Sequence, residues 1–210
     1  VPRLDYSDGG CPSLLLEPQR TQLFQYSEDF SQSYWTKSGL SILSNQVISP
    51  DGTLNSDNLT EDLSNATHLM FKTNISILGT ISVFAKKDNG SNRLFQIRRD
   101  GGSNSWSWFN LEDGTIEYEE NGSSSIENYG NGWYRCSFTP TNSNGTIVFG
   151  ISNESLDRSV SYQGNGTSGV YIYGAMLEED SYPTSYIPNY GTAAGITRSA
   201  DTANGAGNAS

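Results

Sequence analysis

The clearest strand and turn signals in this chain lie in Trp106-Ser-Trp-Phe-Asn-Leu-Glu-Asp-Gly-Thr-Ile-Glu-Tyr118. Asp113-Gly114 is a dipeptide that favours the positive φ angles of tight hairpin turns. On both sides of it the residue types alternate, as they do in strands that bury one face. We therefore predict a hairpin of two antiparallel strands, Ser105 to Leu111 and Thr115 to Glu120.

Short β-rich runs of the same kind recur along most of the chain. Further turn dipeptides separate them, at Asp51-Gly52, Asn89-Gly90, Asn121-Gly122 and Asn144-Gly145. The other predicted strands are Leu40 to Val47, Thr67 to Ile77, Thr80 to Lys86, Arg93 to Arg98, Trp133 to Thr139, Thr146 to Ile151 and Val170 to Leu177. Strands spaced in this way predict an all-β, antiparallel sandwich or jelly roll with almost no helix.

The composition limits the partners of the protein. The 210 residues carry a net charge of −11 and the isoelectric point is near 4.4, so the phosphates of nucleic acids and anionic bilayers would be repelled. No apolar run approaches the ~20 residues of a membrane span. We expect no nucleic-acid partner and no membrane insertion.

The residues of common catalytic and metal centres are scarce. A single histidine, His68, excludes a multi-histidine zinc centre within this chain, and no serine stands in a nucleophile-elbow pattern. Cys11 and Cys136 are far apart in sequence, so they are either one disulfide or two free thiols, and we favour free thiols. The sequence predicts a protein that is not an enzyme.

Three motifs in fixed order carry a family resemblance. They are the opening from Leu14 to Phe30 with Trp35, the central Asn131-Gly-Trp-Tyr-Arg135, and the closing run from Gly174 to Pro188. Together they resemble the jelly-roll, carbohydrate-binding-like modules of bacteriophage tail fibre and adhesin proteins. The resemblance implies an antiparallel jelly-roll β-sandwich over residues 23–190. Residues 1–22 would be an N-terminal extension with one strand that packs on the sandwich, and residues 191–210 a linker to a following domain.

The same resemblance implies a function. The domain would be a non-catalytic carbohydrate-binding-like module of a phage virion protein that acts extracellularly on a tail or surface fibre. Its partners would be a host-surface or environmental polysaccharide or a cell-surface glycan, and other fibre domains. The resemblance is compatible with a homotrimer but does not require one. The alternative is a structural spacer or decoration domain of a virion fibre with no glycan ligand.

A structural calcium ion is a second expectation that comes from a resemblance. The opening Tyr26-Ser-Glu-Asp-Phe30 also resembles that of modules appended to xylanases, in which Ca²⁺ lies between the opening segment and the last strand. Carried over to this chain, Glu28 and Asp29 would face Glu178 or Glu179 across the sheet ends. Such carboxylates suit a hard cation, although they can equally be turn residues and surface charge.

Two tryptophans are the candidate ligand-binding residues. Trp106 and Trp108 are two positions apart on a predicted strand, so both project from one sheet face. Indole rings stack on the apolar faces of sugars, and Arg98, Asn110 and Tyr118 are the expected polar neighbours. The same pair could instead be inward-facing core. We expect Phe95, Ile97 and Trp133 to be core, and Tyr171 and Tyr173 to face outward.

Overall fold

The computed structural model describes residues 3–5, 13–103, 105–153 and 161–202, with side chains from residue 15 onward. Within these ranges the regular elements are seventeen strands, all paired antiparallel. No described segment forms a helix long and apolar enough to span a membrane.

Two large sheets hold most of the strands. The seven-stranded sheet contains β4 (Thr36–Ser38), β7 (Asn65–Ser76), β9 (Leu94–Asp100), β10 (Ser105–Asn110), β11 (Thr115–Glu120), β14 (Asn144–Ser152) and β15 (Ser161–Gln163). The six-stranded sheet contains β5 (Leu40–Ile48), β6 (Leu54–Glu61), β8 (Thr80–Lys87), β12 (Gly122–Gly130), β13 (Trp133–Pro140) and β16 (Gly169–Glu178). Two small pairs complete the set: β1 (Arg3–Asp5) with β2 (Ser13–Leu15), and β3 (Arg20–Gln22) with β17 (Ile196–Arg198).

The strand order is that of a jelly roll. Eight strands lie in the orders β7-β14-β9-β10 and β6-β16-β8-β13, and the chain passes from one sheet to the other at every step among them except from β9 to β10. This arrangement is the double Greek key of jelly-roll sandwiches. The predicted fold class is confirmed.

The hairpin predicted from Asp113-Gly114 and its alternating flanks is present. β10 pairs with β11 around Asp113-Gly114, with Gly114 at φ 73°. Asn144-Gly145 was predicted as a turn, but it begins β14, and the register with β7 shifts there. Two of the longer strands, β6 and β12, were missed because their sequences are dominated by polar residues. The three-residue strands β4, β15 and β17 were missed as well.

The core lies between the two sheets. Trp35 contacts Phe24 and Phe149 at ring-centroid distances of 5.1 and 5.8 Å. Phe95 and Ile97 are fully buried there, as predicted. Trp133 is buried too, but in a second cluster with Phe84 and Tyr173. Burial in this core raises the pKa of the Cys136 thiol, which is free; Cys11 lies outside the described residues.

The two ends of the chain pack together. The extension over residues 1–22 was predicted to hold one strand and contributes three, the last of which pairs with β17. Arg198 forms an ion pair with Glu17 at 3.0 Å, and the backbone N–H of Glu17 donates to Asp201. The described residues 196–201 thus contact the N-terminal segment. Residues 203–210 lie outside the described residues, and the linker over 191–210 stays a prediction.

Candidate functional site

The candidate ligand-binding residues lie on the outer face of the seven-stranded sheet. Phe95, Ile97 and Phe109 point into the core from β9 and β10. Side chains alternate along a strand, so Gln96 and Trp108, which pair across the two strands, point the other way. Arg98 and Trp106 are the next outward pair on the same two strands. The prediction that the two tryptophans share one sheet face is therefore confirmed.

The two indole rings form an ordered pair on this face. Their planes are 13° apart and their centroids 6.5 Å apart. The guanidinium of Arg98 lies over the Trp106 ring at 5.2 Å and also donates to Asp100 at 2.6 Å. Tyr118 meets Trp108 edge to face at 5.8 Å. Such contacts fix both rings, since cation–π and edge-to-face contacts each add stabilisation beyond burial.

The rings differ in accessibility. Trp106 is half-buried, whereas Trp108 is only 2% exposed. Trp108 lies between Trp106 and the edge-on ring of Tyr118, with Gln96 opposite on β9. The exposed two-ring platform that we expected is thus reduced to one accessible ring, Trp106, supported by a buried one.

Polar atoms without partners surround the indole pair. Gln96 is fully buried, and both atoms of its side-chain amide lack a hydrogen-bond partner among the described residues. The same holds for Nε and Nη1 of Arg98 and for the indole Nε1 atoms of Trp106 and Trp108. An unpaired buried polar group costs about 1–3 kcal/mol. This face therefore carries donors and an acceptor that a hydroxylated ligand could pair.

Sequence reasoning missed Gln96, and the proposed ligand contact of Asn110 stays a prediction. Gln96 alternates with the core residues Phe95 and Ile97, so the period of two could have placed it beside Arg98. Asn110 serves the hairpin: its amide donates to Glu117 at 3.0 Å and its oxygen accepts from the backbone of Glu112. Tyr118 donates to Glu120.

The four predicted calcium ligands do not form a joint site. The described residues hold no group of three or more acidic, histidine or cysteine side chains able to bind a metal. Glu178 is fully buried and accepts from the backbone and hydroxyl of Thr184. Glu179 is exposed.

Burial would raise the pKa of Asp29, but hydrogen bonds from Ser31 and Gln32 hold it below its ordinary value. Calcium binding remains a prediction, which melting curves with calcium and with chelator test.

Tyrosine hydroxyls surround Glu28 instead. One carboxylate oxygen of Glu28 accepts from Tyr173 at 3.2 Å, Tyr186 at 3.0 Å and Tyr190 at 3.3 Å. Tyr173 points away from the core, as predicted, but it is buried beneath Tyr186 of the closing segment. Glu28 therefore joins the opening motif to the closing one.

Comparison with known proteins yields a distant likeness to a solved structure. No protein-family model and no curated protein matches the chain. Among solved structures, the chain is similar to the enzymatically active domain of tailspike protein 4 from bacteriophage CBA120, with a TM-score of 0.41 and 16% identity. The likeness covers 74% of this chain and 21% of the tailspike chain, so this chain spans about a fifth of that one. It is too distant to transfer residues or activity.

Proposed function

We propose that this domain is a non-catalytic carbohydrate-binding module of a phage virion protein, in a tail fibre or adhesin, that binds a host-surface or environmental polysaccharide. The observation that carries the proposal is the parallel pair Trp106 and Trp108 beside the amide of Gln96, which has no hydrogen-bond partner in the described part of the chain. A sugar offers apolar C–H faces to an indole ring, and its hydroxyls both donate and accept. It therefore complements both parts of the site.

Trp106 is the point of entry in this proposal. It is the more accessible of the two rings, whereas Gln96 and most of Arg98 lie beneath the surface. Side-chain rotamer changes at an interface are common on binding. A shift of the Trp106 ring would open the space beside the Trp108 ring, which stacks against it. Each site would be shallow, and several copies in a fibre would raise the overall avidity.

The proposal gives the carboxylates at this face a positioning role. One oxygen of Asp100 accepts from Arg98, and Glu120 accepts from Tyr118. Glycoside hydrolysis needs one carboxyl group to protonate the leaving oxygen and a second to attack the sugar or to activate water. Trp106, Gln96 and Arg98 supply neither.

A glycan array tests the proposal. The wild-type chain should bind at least one host polysaccharide, and Trp106→Ala should weaken that binding at least about tenfold, or ~1.4 kcal/mol. Leu78→Ala, which removes an exposed apolar side chain between β7 and β8, is the matched control and should bind normally. A folded wild-type chain that binds no glycan would favour the spacer alternative. Release of new reducing ends would contradict the non-catalytic assignment.

A further inference from the structure

A groove crosses the outer face of the six-stranded sheet, on the side of the domain opposite Trp106. It consists of two neighbouring cavities that share Tyr129 as a lining residue. One, of about 480 Å³, is also lined by Tyr182, Glu127 and Arg135. The other, of about 550 Å³, is lined by Lys86, Asn131 and Trp133 among others. Both volumes fall in the range of small-molecule sites. We call the two together the tyrosine groove.

Two ordered aromatic rings stand in the groove. Tyr129 is 48% exposed and Tyr182 is 47% exposed. Tyr129 rests edge to face on Phe84 at 4.9 Å. The guanidinium of Arg20 lies over the Tyr182 ring at 5.2 Å and donates to its hydroxyl at 3.1 Å. The rings are thus held before any ligand arrives, which lowers the entropy cost of binding.

Polar groups lie between and beside these rings. Arg135 pairs across the strands with Glu127 and is 6% exposed. Its Nη2 donates to Thr184 at 2.6 Å, but its Nε has no partner among the described residues. In the second cavity, Lys86 donates to the backbone oxygen of Asn131.

The charges of the groove select the class of ligand. Glu17, Glu127 and Arg135 line one cavity and Lys86 lines the other, so two cations and two carboxylates leave the groove nearly neutral within a chain of net charge −11. Glu17 is itself paired with Arg198. An acidic polymer would be repelled by the chain as a whole, and the groove holds no excess of carboxylates for a cationic one.

We infer that the tyrosine groove is a second carbohydrate-binding site, which takes consecutive sugar units of a neutral polysaccharide along Tyr129 and Tyr182. The inference rests on the proposed function for the class of ligand but places the ligand on the other sheet. Two rings that line one cavity, with donors and acceptors beside them, match a chain of hydroxylated rings. The centre of a protein–protein interface is depleted of charged residues, whereas Lys86, Glu127 and Arg135 line this groove.

The test uses an array of neutral oligosaccharides of one to six sugar units and their parent polysaccharides. Tyr129→Ala and Tyr182→Ala should each weaken binding of the longer oligosaccharides at least about tenfold. Tyr190→Ala is the matched control, since Tyr190 is 73% exposed and lines no part of the groove. Tyr129→Phe keeps the ring and should retain binding. Melting curves verify that each variant is folded.

Comparison with Trp106→Ala separates the two proposals. If Trp106→Ala abolishes all binding while Tyr129→Ala and Tyr182→Ala change nothing, the groove is not a glycan site and the proposed function stands. If the tyrosine variants lose binding while Trp106→Ala keeps it, the groove is the site and the tryptophan face is not. A wild-type chain that binds none of these neutral glycans overturns the groove as a glycan site, whereas the proposed function fails only if the chain also binds nothing on the wider host-glycan array. A concentration-dependent dimer that Tyr129→Ala disrupts would assign the groove to a second copy of the chain.

Discussion

Ser27 and Asn189, which are 162 positions apart in sequence, are joined by two hydrogen bonds. The backbone N–H of Ser27 donates to the carbonyl oxygen of Asn189 at 2.9 Å, and the backbone N–H of Asn189 donates to the Ser27 hydroxyl at 2.8 Å. Ser27 belongs to the opening motif, and Asn189 follows the closing one directly. Arg135 of the central motif donates to Thr184 of the closing motif. The three motifs that carry the family resemblance therefore meet as a structural clasp.

The clasp predicts an alkaline limit to stability. Burial first, and then the negative charge of Glu28, raise the pKa of the Tyr186 hydroxyl well above its ordinary value. Above about pH 10 the unfolded chain loses this proton while the folded chain keeps it. The unfolded state then binds fewer protons, so the free energy of unfolding falls as pH rises, by ~1.4 kcal/mol per pH unit for each such tyrosine. Below that pH the contribution is complete.

Tyr186→Phe tests this limit by urea unfolding between pH 7 and pH 11. At pH 7 the variant should lose about 1 kcal/mol, because Ser27 and Glu28 each lose a hydrogen-bond partner. Above pH 10 the free energy of unfolding of the variant should fall less steeply than that of the wild type, by ~1.4 kcal/mol per pH unit, which is the contribution of one tyrosine. Tyr129→Phe, with a half-exposed ring, is the control. Equal alkaline slopes for Tyr186→Phe and wild type would refute the assignment.

The two tryptophans should respond differently to truncation. Trp108 is 2% exposed, so Trp108→Ala should cost ~3–5 kcal/mol by leaving a cavity. Trp106 is half-buried, and Trp106→Ala should cost about 1–2 kcal/mol. Urea unfolding of both variants measures the difference. Equal losses would mean that Trp106 is as much a structural residue as Trp108, and would weaken its role as the point of entry.

Comparing two buried glutamines measures how much the side-chain amide of Gln96 contributes to stability. Gln22 and Gln96 are both fully buried. The amide of Gln22 donates to Ala175 at 2.7 Å and accepts from Phe24 and Leu177, whereas that of Gln96 has no partner among the described residues. Replacing an unpaired polar group by an apolar one of similar shape is neutral or stabilising, but orphaning buried partners costs ~1–3 kcal/mol each.

We therefore expect Gln96→Leu to keep or raise the melting temperature and to weaken glycan binding. Gln22→Leu should lower the free energy of unfolding by about 3 kcal/mol or more, since it orphans three backbone groups. Thermal unfolding and the glycan array measure the two effects. A Gln96→Leu variant that is destabilised as much as Gln22→Leu would show that the Gln96 amide has partners in solution and is not kept for a ligand.

The sequence predicted those parts of the fold in which side chains alternate. The hairpin of β10 and β11 and the inward direction of Phe95 and Ile97 follow from period and turn chemistry alone. β6 could not be found in this way, because its Asp57 is buried by accepting backbone N–H groups from Phe30 and Asn45. Such partners are known only once the chain has folded.

In the candidate sites, too, only the features that follow from strand alternation were predictable from the sequence. The shared face of Trp106 and Trp108 was predictable, but the burial of Trp108 depends on Tyr118 from the neighbouring strand. The opening carboxylate Glu28 was assigned to a cation, since no local pattern reveals that tyrosine hydroxyls from the closing segment converge on it. The tyrosine groove was missed because Tyr129 and Tyr182 are brought together only by the tertiary fold.

The indole N–H signals in a ¹H–¹⁵N correlation spectrum test glycan binding at the tryptophan face most directly. Trp35 donates to Tyr26 at 3.1 Å and Trp133 to Ile48 at 3.0 Å, whereas the N–H groups of Trp106 and Trp108 have no partner among the described residues. Titration with the glycan selected on the array should shift the Trp106 and Trp108 signals and leave that of Trp35 unchanged; Trp133 reports on the tyrosine groove. Saturable binding that does not shift the Trp106 and Trp108 signals would show that the glycan binds elsewhere than at the tryptophan face.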